Sequence, residues 1–166
     1  MKKESVEKII RGLNDAGVRY LLVGGLAVNA HGYFRATADV DLILEFSAPN
    51  LLRALGVLKG LGYTPRIPEP MERFADAQLR ETWARERNMK VFSLYSDLHR
   101  ETEVDLFIRD PLGFAAAYAR AELFEVAPDL NATVCSLADL LDLKRQASRD
   151  KDLLDIKKLK EIHEAK

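Results

Sequence analysis

The chain reads as an α+β protein, α/β-like in its alternation: a mixed sheet of about four to six strands flanked by helices, with further helices at the C-terminal end. Three observations predict this. Short apolar runs alternate with amphipathic segments of helix length through the first sixty residues. Two apolar runs, Lys90–Leu94 and Thr102–Ile108, lie close enough together to form a hairpin, which makes the sheet mixed. From Ser136 onward only helical periodicity remains.

Ser5–Ala16 is a predicted helix, because Val6, Ile9, Ile10 and Leu13 share one face and Gly17 supplies a stop. Tyr20–Val23 is the first strand. The Gly24-Gly25 turn leads into a short helix over Leu26–His31, ended by Gly32, and a second strand covers Asp39–Glu45. Ser47 or Pro49 opens a third helix through Leu51, Leu52, Leu55, Leu58 and Leu61, stopped by Gly62. The charged stretch after Ile67 carries Met71, Phe74, Leu79 and Trp83 as anchors and is expected to form an amphipathic helix or a partly mobile cover. The hairpin follows, then a helix from Pro111 to Arg120 and two short edge strands, Glu122–Val126 and Ala132–Cys135. Ser136 is the expected N-cap of the next helix, with Asp139 at the reciprocal capping position and Leu137, Leu140, Leu141 and Leu143 on its apolar side. In the last helix, Arg149–Glu164, Leu153, Leu154, Ile156, Leu159 and Ile162 are expected to face inward.

A length of 166 residues fits one domain, 1–166, with a core over about 1–120 and a helical C-terminal part over about 136–166. The chain is 48% hydrophobic and 31% charged, the composition of a soluble globular protein, and its formal net charge of −1 gives no global pull toward nucleic acid or membrane. Cys135 is the single cysteine, which rules out an internal disulfide and a cysteine metal cluster. No signal-peptide pattern follows Met1-Lys2-Lys3-Glu4, and no run approaches a membrane span. The expected location is cytoplasmic.

Chemistry concentrates in Gly24–Leu44. Asp39 and Asp41 lie two apart on a strand, so their carboxylates share a face, separated by roughly 6.6 Å of rise. Ionised side by side they repel and raise each other's pKa unless a cation sits between them; otherwise they occupy a solvated strand entrance. Asp105, in Glu103-Val104-Asp105-Leu106-Phe107, is a third acid inside an apolar strand. If that strand lies beside the second, Asp39, Asp41 and Asp105 converge on the oxygen-rich ligation that magnesium prefers. Glu103 shares a face with Asp105 and is the rival third acid.

The glycine pair alone is a weak sign. It fits neither the dinucleotide fingerprint nor a Gly-Lys-Ser/Thr loop, and a tight turn explains it as well as phosphate does. Arg35 and Thr37 stand where a guanidinium and a hydroxyl could touch phosphate or hold the carboxylates. His31 reads as a packed capping residue or a polar contact to substrate. Lys144–Lys160 is rich in basic residues, which fits a solvated, salt-bridged face or a cationic wall opposite the acids.

A glycine pair, a short helix, Arg-x-Thr, Asp-x-Asp and a later strand-borne Asp together resemble the nucleotidyltransferase superfamily of the DNA polymerase β type. Within it the segment is similar to the minimal proteins grouped with abortive-infection AbiEii-type toxins, as is Lys144–Asp155. The resemblance implies the nucleotidyltransferase fold. It further implies that Gly24 and Gly25 contact a nucleotide triphosphate, with Arg35 and Thr37 nearby, and that Asp39, Asp41 and Asp105 bind magnesium, with two ions during catalysis. Asp105 would also help activate the acceptor hydroxyl. Lys144, with Arg149 or Lys151, would reach phosphate or base, and Asp152 would hold those basic residues. Many active members have Gly-Ser where this chain has Gly24-Gly25. The implied reaction moves a nucleoside monophosphate from a nucleoside triphosphate to a hydroxyl of RNA, protein or a small molecule. The alternative is an inactive nucleotide- or partner-binding relative, with an antitoxin as one candidate partner. A homodimer is also compatible with the chain, with Trp83 as a surface aromatic that could pair two copies.

Overall fold

The computed structural model describes residues 1–165 and holds one seven-stranded sheet in the order β3-β4-β5-β2-β1-β7-β6. The chain enters through α1 (Lys3–Asp15) and runs into β1 (Tyr20–Val23), buried at all four positions. The glycine turn then begins α2 (Gly24–Ala30), and β2 (Asp39–Leu44) returns antiparallel to β1 with Val23 opposite Asp41. Next come α3 (Ala48–Gly60) and β3 (Tyr63–Pro65), then a 3-10 turn at Met71–Ala75 and α4 (Ala77–Glu86).

The predicted hairpin forms as β4 (Val91–Ser96) and β5 (Glu103–Phe107), antiparallel, with Ser93 opposite Asp105. β5 lies parallel to β2, so strands far apart in the chain become neighbours at the centre of the sheet. After α5 (Phe114–Ala119), β6 (Glu122–Ala127) and β7 (Leu130–Val134) form a second hairpin, and β7 joins the other side of β1 in parallel. Two helices close the fold, α6 (Leu137–Ala147) and α7 (Asp150–Glu164). Among the described residues, no helix is long and apolar enough to cross a membrane.

Alternation in the central strands separates the core from the cleft. Val40, Leu42, Val104 and Leu106 are fully buried on one face, while Asp39, Asp41, Glu103, Asp105 and Phe107 alternate with them and stay half-exposed. On the buried side Trp83 stacks on Phe92 at 5.3 Å and Phe74 meets Phe92 at 5.2 Å. Trp83 is fully buried, so it is not a surface aromatic for pairing two copies. The charged stretch after Ile67 is thus anchored to the sheet by its few aromatics. β3, three residues ending in proline, is the strand beyond the expected four to six.

α7 departs from expectation in its orientation. Leu153 and Leu154 are 54% and 47% exposed, whereas Asp152, Asp155 and Leu159 form the buried stripe. The spacing of three and four residues is helical, but two of the three inward positions are acidic. Those acids meet buried or half-buried cations contributed by other elements, and that pairing outweighs the pull of two leucines toward the interior. At α6 the Ser136 hydroxyl caps the Asp139 N–H, as expected. The Asp139 carboxylate, however, takes the Arg120 guanidinium at 2.8 and 2.6 Å instead of returning to the cap backbone.

Candidate functional site

A cleft of about 630 Å³ opens where β1, β2, β5 and β4 meet α6 and α7. Its lining includes Gly24, Gly25, Arg35, Thr37, Asp39, Asp41, Asp105, Lys144, Arg149 and Lys151, so all ten candidate residues from the sequence reach one cavity.

The acids are brought together by strand register. Asp41 on β2 pairs with Asp105 on β5, and Asp39 pairs with Glu103. Parallel neighbours stand roughly 4.8 Å apart, so Asp41 and Asp105 lie side by side on one sheet face. Glu103 accepts a 3.0 Å hydrogen bond from Arg66 Nε and is ion-paired to that guanidinium, away from the cleft lining. Glu103 and Asp105 share a face, but Asp105 lines the cavity and Glu103 holds Arg66.

Crowding leaves its mark on protonation. Burial, then the neighbouring charges of Asp105 and Asp39, push the Asp41 carboxyl up to about 7, against the opposing pull of Lys144 and the Gly25 N–H. Burial likewise raises Asp105, offset in part by a hydrogen bond from Ser93. A cluster of this kind gains from a cation, and its all-carboxylate oxygens suit a hard divalent ion such as magnesium. Among the described residues, no group of three or more His, Cys, Asp or Glu side chains is arranged to hold a metal ion by itself. The donor chemistry fits magnesium, an ion that completes its shell with water and substrate phosphate.

The glycines have a steric reason. Gly24 has φ +67°, and a β-carbon there would overlap the Asp41 carboxylate. A β-carbon on Gly25 would overlap the Thr37 side chain and come within 3.4 Å of Arg35 Nη1. The backbone turn is thus packed directly against the groups that line the cleft. A serine at position 25 has no room, because the Thr37 hydroxyl already occupies that place.

The basic residues are held by α7. Arg35 donates from Nε and Nη2 to Asp155 at 2.7 Å each, and Lys144 Nζ, nearly buried, lies 3.1 Å from Asp152 and 2.8 Å from Asp155. Arg149 Nε donates to Asp152 at 2.7 Å. Lys144 is consequently fixed between two acids and does not extend freely into the cavity. Lys90 and Lys151 line the same cleft and, among the described residues, make no ion pair. His31 sits beneath the loop, its Nε2 2.9 Å from the Cys135 carbonyl, which matches the packed reading.

Sequence reasoning missed the apolar part of the cavity. Met89, Val91, Phe107 and Pro111 line one end, and Leu140, Leu143 and Ala147 of α6 add a second apolar strip. Phe107, two residues past Asp105 on the same strand face, marks that end only once Asp105 is placed in the cleft.

No family model matches the chain, and no curated protein matches it. Among solved structures, the lincosamide antibiotic adenylyltransferase LnuA with lincomycin bound superposes with a TM-score of 0.64 at 17% sequence identity. The match spans 96% of this chain and 97% of that one. The chain has the nucleotidyltransferase fold. Membership of the abortive-infection branch receives no support from these comparisons.

Proposed function

We propose that the cleft binds a magnesium-complexed nucleoside triphosphate and transfers its nucleoside monophosphate to a hydroxyl acceptor. The observation that carries this reading is the register of β2 and β5, which sets Asp41 beside Asp105 on the face that also bears Asp39, at the edge of the Gly24-Gly25 turn. The shared fold with an adenylyltransferase supports it and favours ATP as the donor to try first.

Magnesium held by Asp39, Asp41 and Asp105 would neutralise charge on the triphosphate and the attacking oxygen. The chain's own groups do the rest. Lys151 and Arg149 at the α7 start face the cavity and meet phosphate charge, while Lys144 and Arg35 contribute a fixed positive field from their carboxylate cradle. The Thr37 hydroxyl, beside Gly25, is the candidate hydrogen-bond donor to phosphate in place of a serine. Asp105 is the candidate acceptor of the proton leaving the attacking hydroxyl. The acceptor is RNA, protein or a small molecule. The neighbouring antibiotic transferase acts on a small molecule by its name, which makes that class the first to test.

The test is incubation with each labelled triphosphate and magnesium across acceptor classes. Transfer is expected for the wild type and absent for the Asp39→Asn/Asp41→Asn double variant; unchanged transfer in that variant removes the proposed site. A second reading is an inactive nucleotide- or partner-binding relative, favoured by the ion pairs that hold Lys144 and Arg35 on Asp152 and Asp155 and away from a phosphate. Binding of magnesium and nucleotide without transfer to any acceptor class supports it, and an antitoxin belongs to this reading as a candidate partner.

A further inference from the structure

The register of four strands lays the cleft out as a line. Val23, immediately before the Gly24-Gly25 turn, pairs with Asp41; Asp41 pairs with Asp105; Asp105 pairs with Ser93. Successive strands are roughly 4.8 Å apart, so this row spans about 14 Å from β1 to β4. One residue pair further along, Phe107 of β5 stands opposite Val91 of β4 on the same face, roughly 6.6 Å beyond the Asp105 row. Met89 and Pro111 complete an apolar floor there.

In phosphoryl transfer the attacking and leaving oxygens lie roughly in line through the reacting phosphorus. The cations Arg35, Lys144 and Arg149 gather with the glycine turn and α7 at one end of the cavity, where a departing pyrophosphate finds its charge partners. The acceptor then belongs at the other end of the row, over β5 and β4. That end offers the Asp105 carboxylate beside an apolar surface, edged by two cations, Lys90 and Arg109, of which Arg109 is paired to Glu81. Leu140, Leu143 and Ala147 line the same cleft from a different element, α6, and are the candidate seat of a nucleobase. A cleft of about 630 Å³ is also in the range of sites for small ligands.

Resting on the nucleotidyltransferase reading above, we infer that the acceptor is a small molecule with an apolar, ring-sized body and a hydroxyl, seated on Phe107, Val91 and Met89 with the hydroxyl at Asp105. The acceptor oxygen forms the new bond to the α-phosphorus. The bond from that phosphorus to the bridging oxygen breaks, its electron pair leaves on pyrophosphate, and the hydroxyl proton passes to Asp105.

The experiment uses the full chain with magnesium and a non-hydrolysable ATP analogue, and 2-phenylethanol and glycerol as probes in ligand-observed NMR. Phe107→Ala and Met89→Ala are compared with wild type after melting curves show which variants fold. The expected result is binding of the analogue within about twofold in every folded protein, with 2-phenylethanol bound by wild type and weakened about tenfold in the variants. Glycerol is expected not to bind. Loss of analogue affinity in the variants assigns this floor to the nucleobase and overturns the inference. Analogue binding with no 2-phenylethanol signal in wild type overturns it while leaving the nucleotide reading intact. Failure of wild type to bind the analogue overturns the nucleotide reading, and the inference with it.

Discussion

Arg35 and Asp155, 120 residues apart in the chain, are joined by two parallel hydrogen bonds of 2.7 Å. This fork ties the loop before β2 to α7, and Lys144 of α6 shares the same carboxylate at 2.8 Å. Three separate pieces of chain therefore meet at Asp155, which is only 1% exposed in its side chain.

Asp155→Asn should destabilise the protein by about 3 kcal/mol in denaturant melts, because it leaves Lys144 buried with one partner fewer. Asp155→Glu should recover part of that loss. Burial opposes ionisation of Asp155, but hydrogen bonds from Arg35 and Lys144 win and hold the carboxyl below its ordinary range. The stability it supplies is present above the ordinary carboxylate pKa and is lost as pH falls through the lowered one. The difference between wild type and Asp155→Asn should therefore shrink only in strong acid. A difference that disappears by pH 6 contradicts this assignment.

On the opposite face of α7, Leu153→Gln should be neutral within about 0.5 kcal/mol, whereas Leu159→Ala should cost about 2–4 kcal/mol. Thermal melts of the two single variants check this. An equal loss in both would mean that the leucines, not the acids, face the interior.

This helix also marks the limit of what the sequence discloses. Its length and period are legible, since apolar residues recur at helical spacing. Its rotation is not, because a pattern of hydrophobicity cannot foresee that Asp152 and Asp155 find Lys144, Arg149 and Arg35. The same reasoning covers β3, whose three residues carry no alternation. Asp39 and Asp41 were legible from a two-residue period, and Asp105 from an acid placed among apolar neighbours. That Asp105 lines the cleft while Glu103 pairs with Arg66 is a long-range fact and was not legible. Phe107 and Val91 read as ordinary strand residues, and Met89 as part of the stretch before them, until Asp105 is placed beside Asp41.

The overlap of a β-carbon on Gly25 with Thr37 gives a coupled prediction. Gly25→Ala should lower stability by about 1–3 kcal/mol through overpacking. In a Thr37→Gly background the added methyl finds room, so its cost should largely vanish. A double-mutant cycle measures this coupling, and additive losses would show that the two residues do not share the space. Gly24→Ala should have no such rescue from Thr37→Gly, because its obstacles are the Asp41 carboxylate and a φ of +67°.

Asp41 carries the sharpest pH signature. Its carboxyl is raised from the ordinary 3.8 to about 7 by burial and by Asp105 and Asp39. Below the ordinary value it is neutral both folded and unfolded, and its ionisation costs the fold nothing. As pH rises toward 7 the unfolded chain ionises first, so the stability linked to the neutral form is lost. Asp41→Asn removes that penalty, and its melting temperature should exceed wild type most at pH 8, less at pH 5, and not at all near pH 3. The magnesium ion brought in with ATP supplies the missing positive charge beside Asp41 in wild type but has no such effect on the variant. The ligand-induced rise in melting temperature should therefore be large for wild type at pH 8, smaller at pH 5, and lost in Asp41→Asn. If magnesium and ATP stabilise the variant as strongly as wild type at pH 8, the nucleotide is held elsewhere.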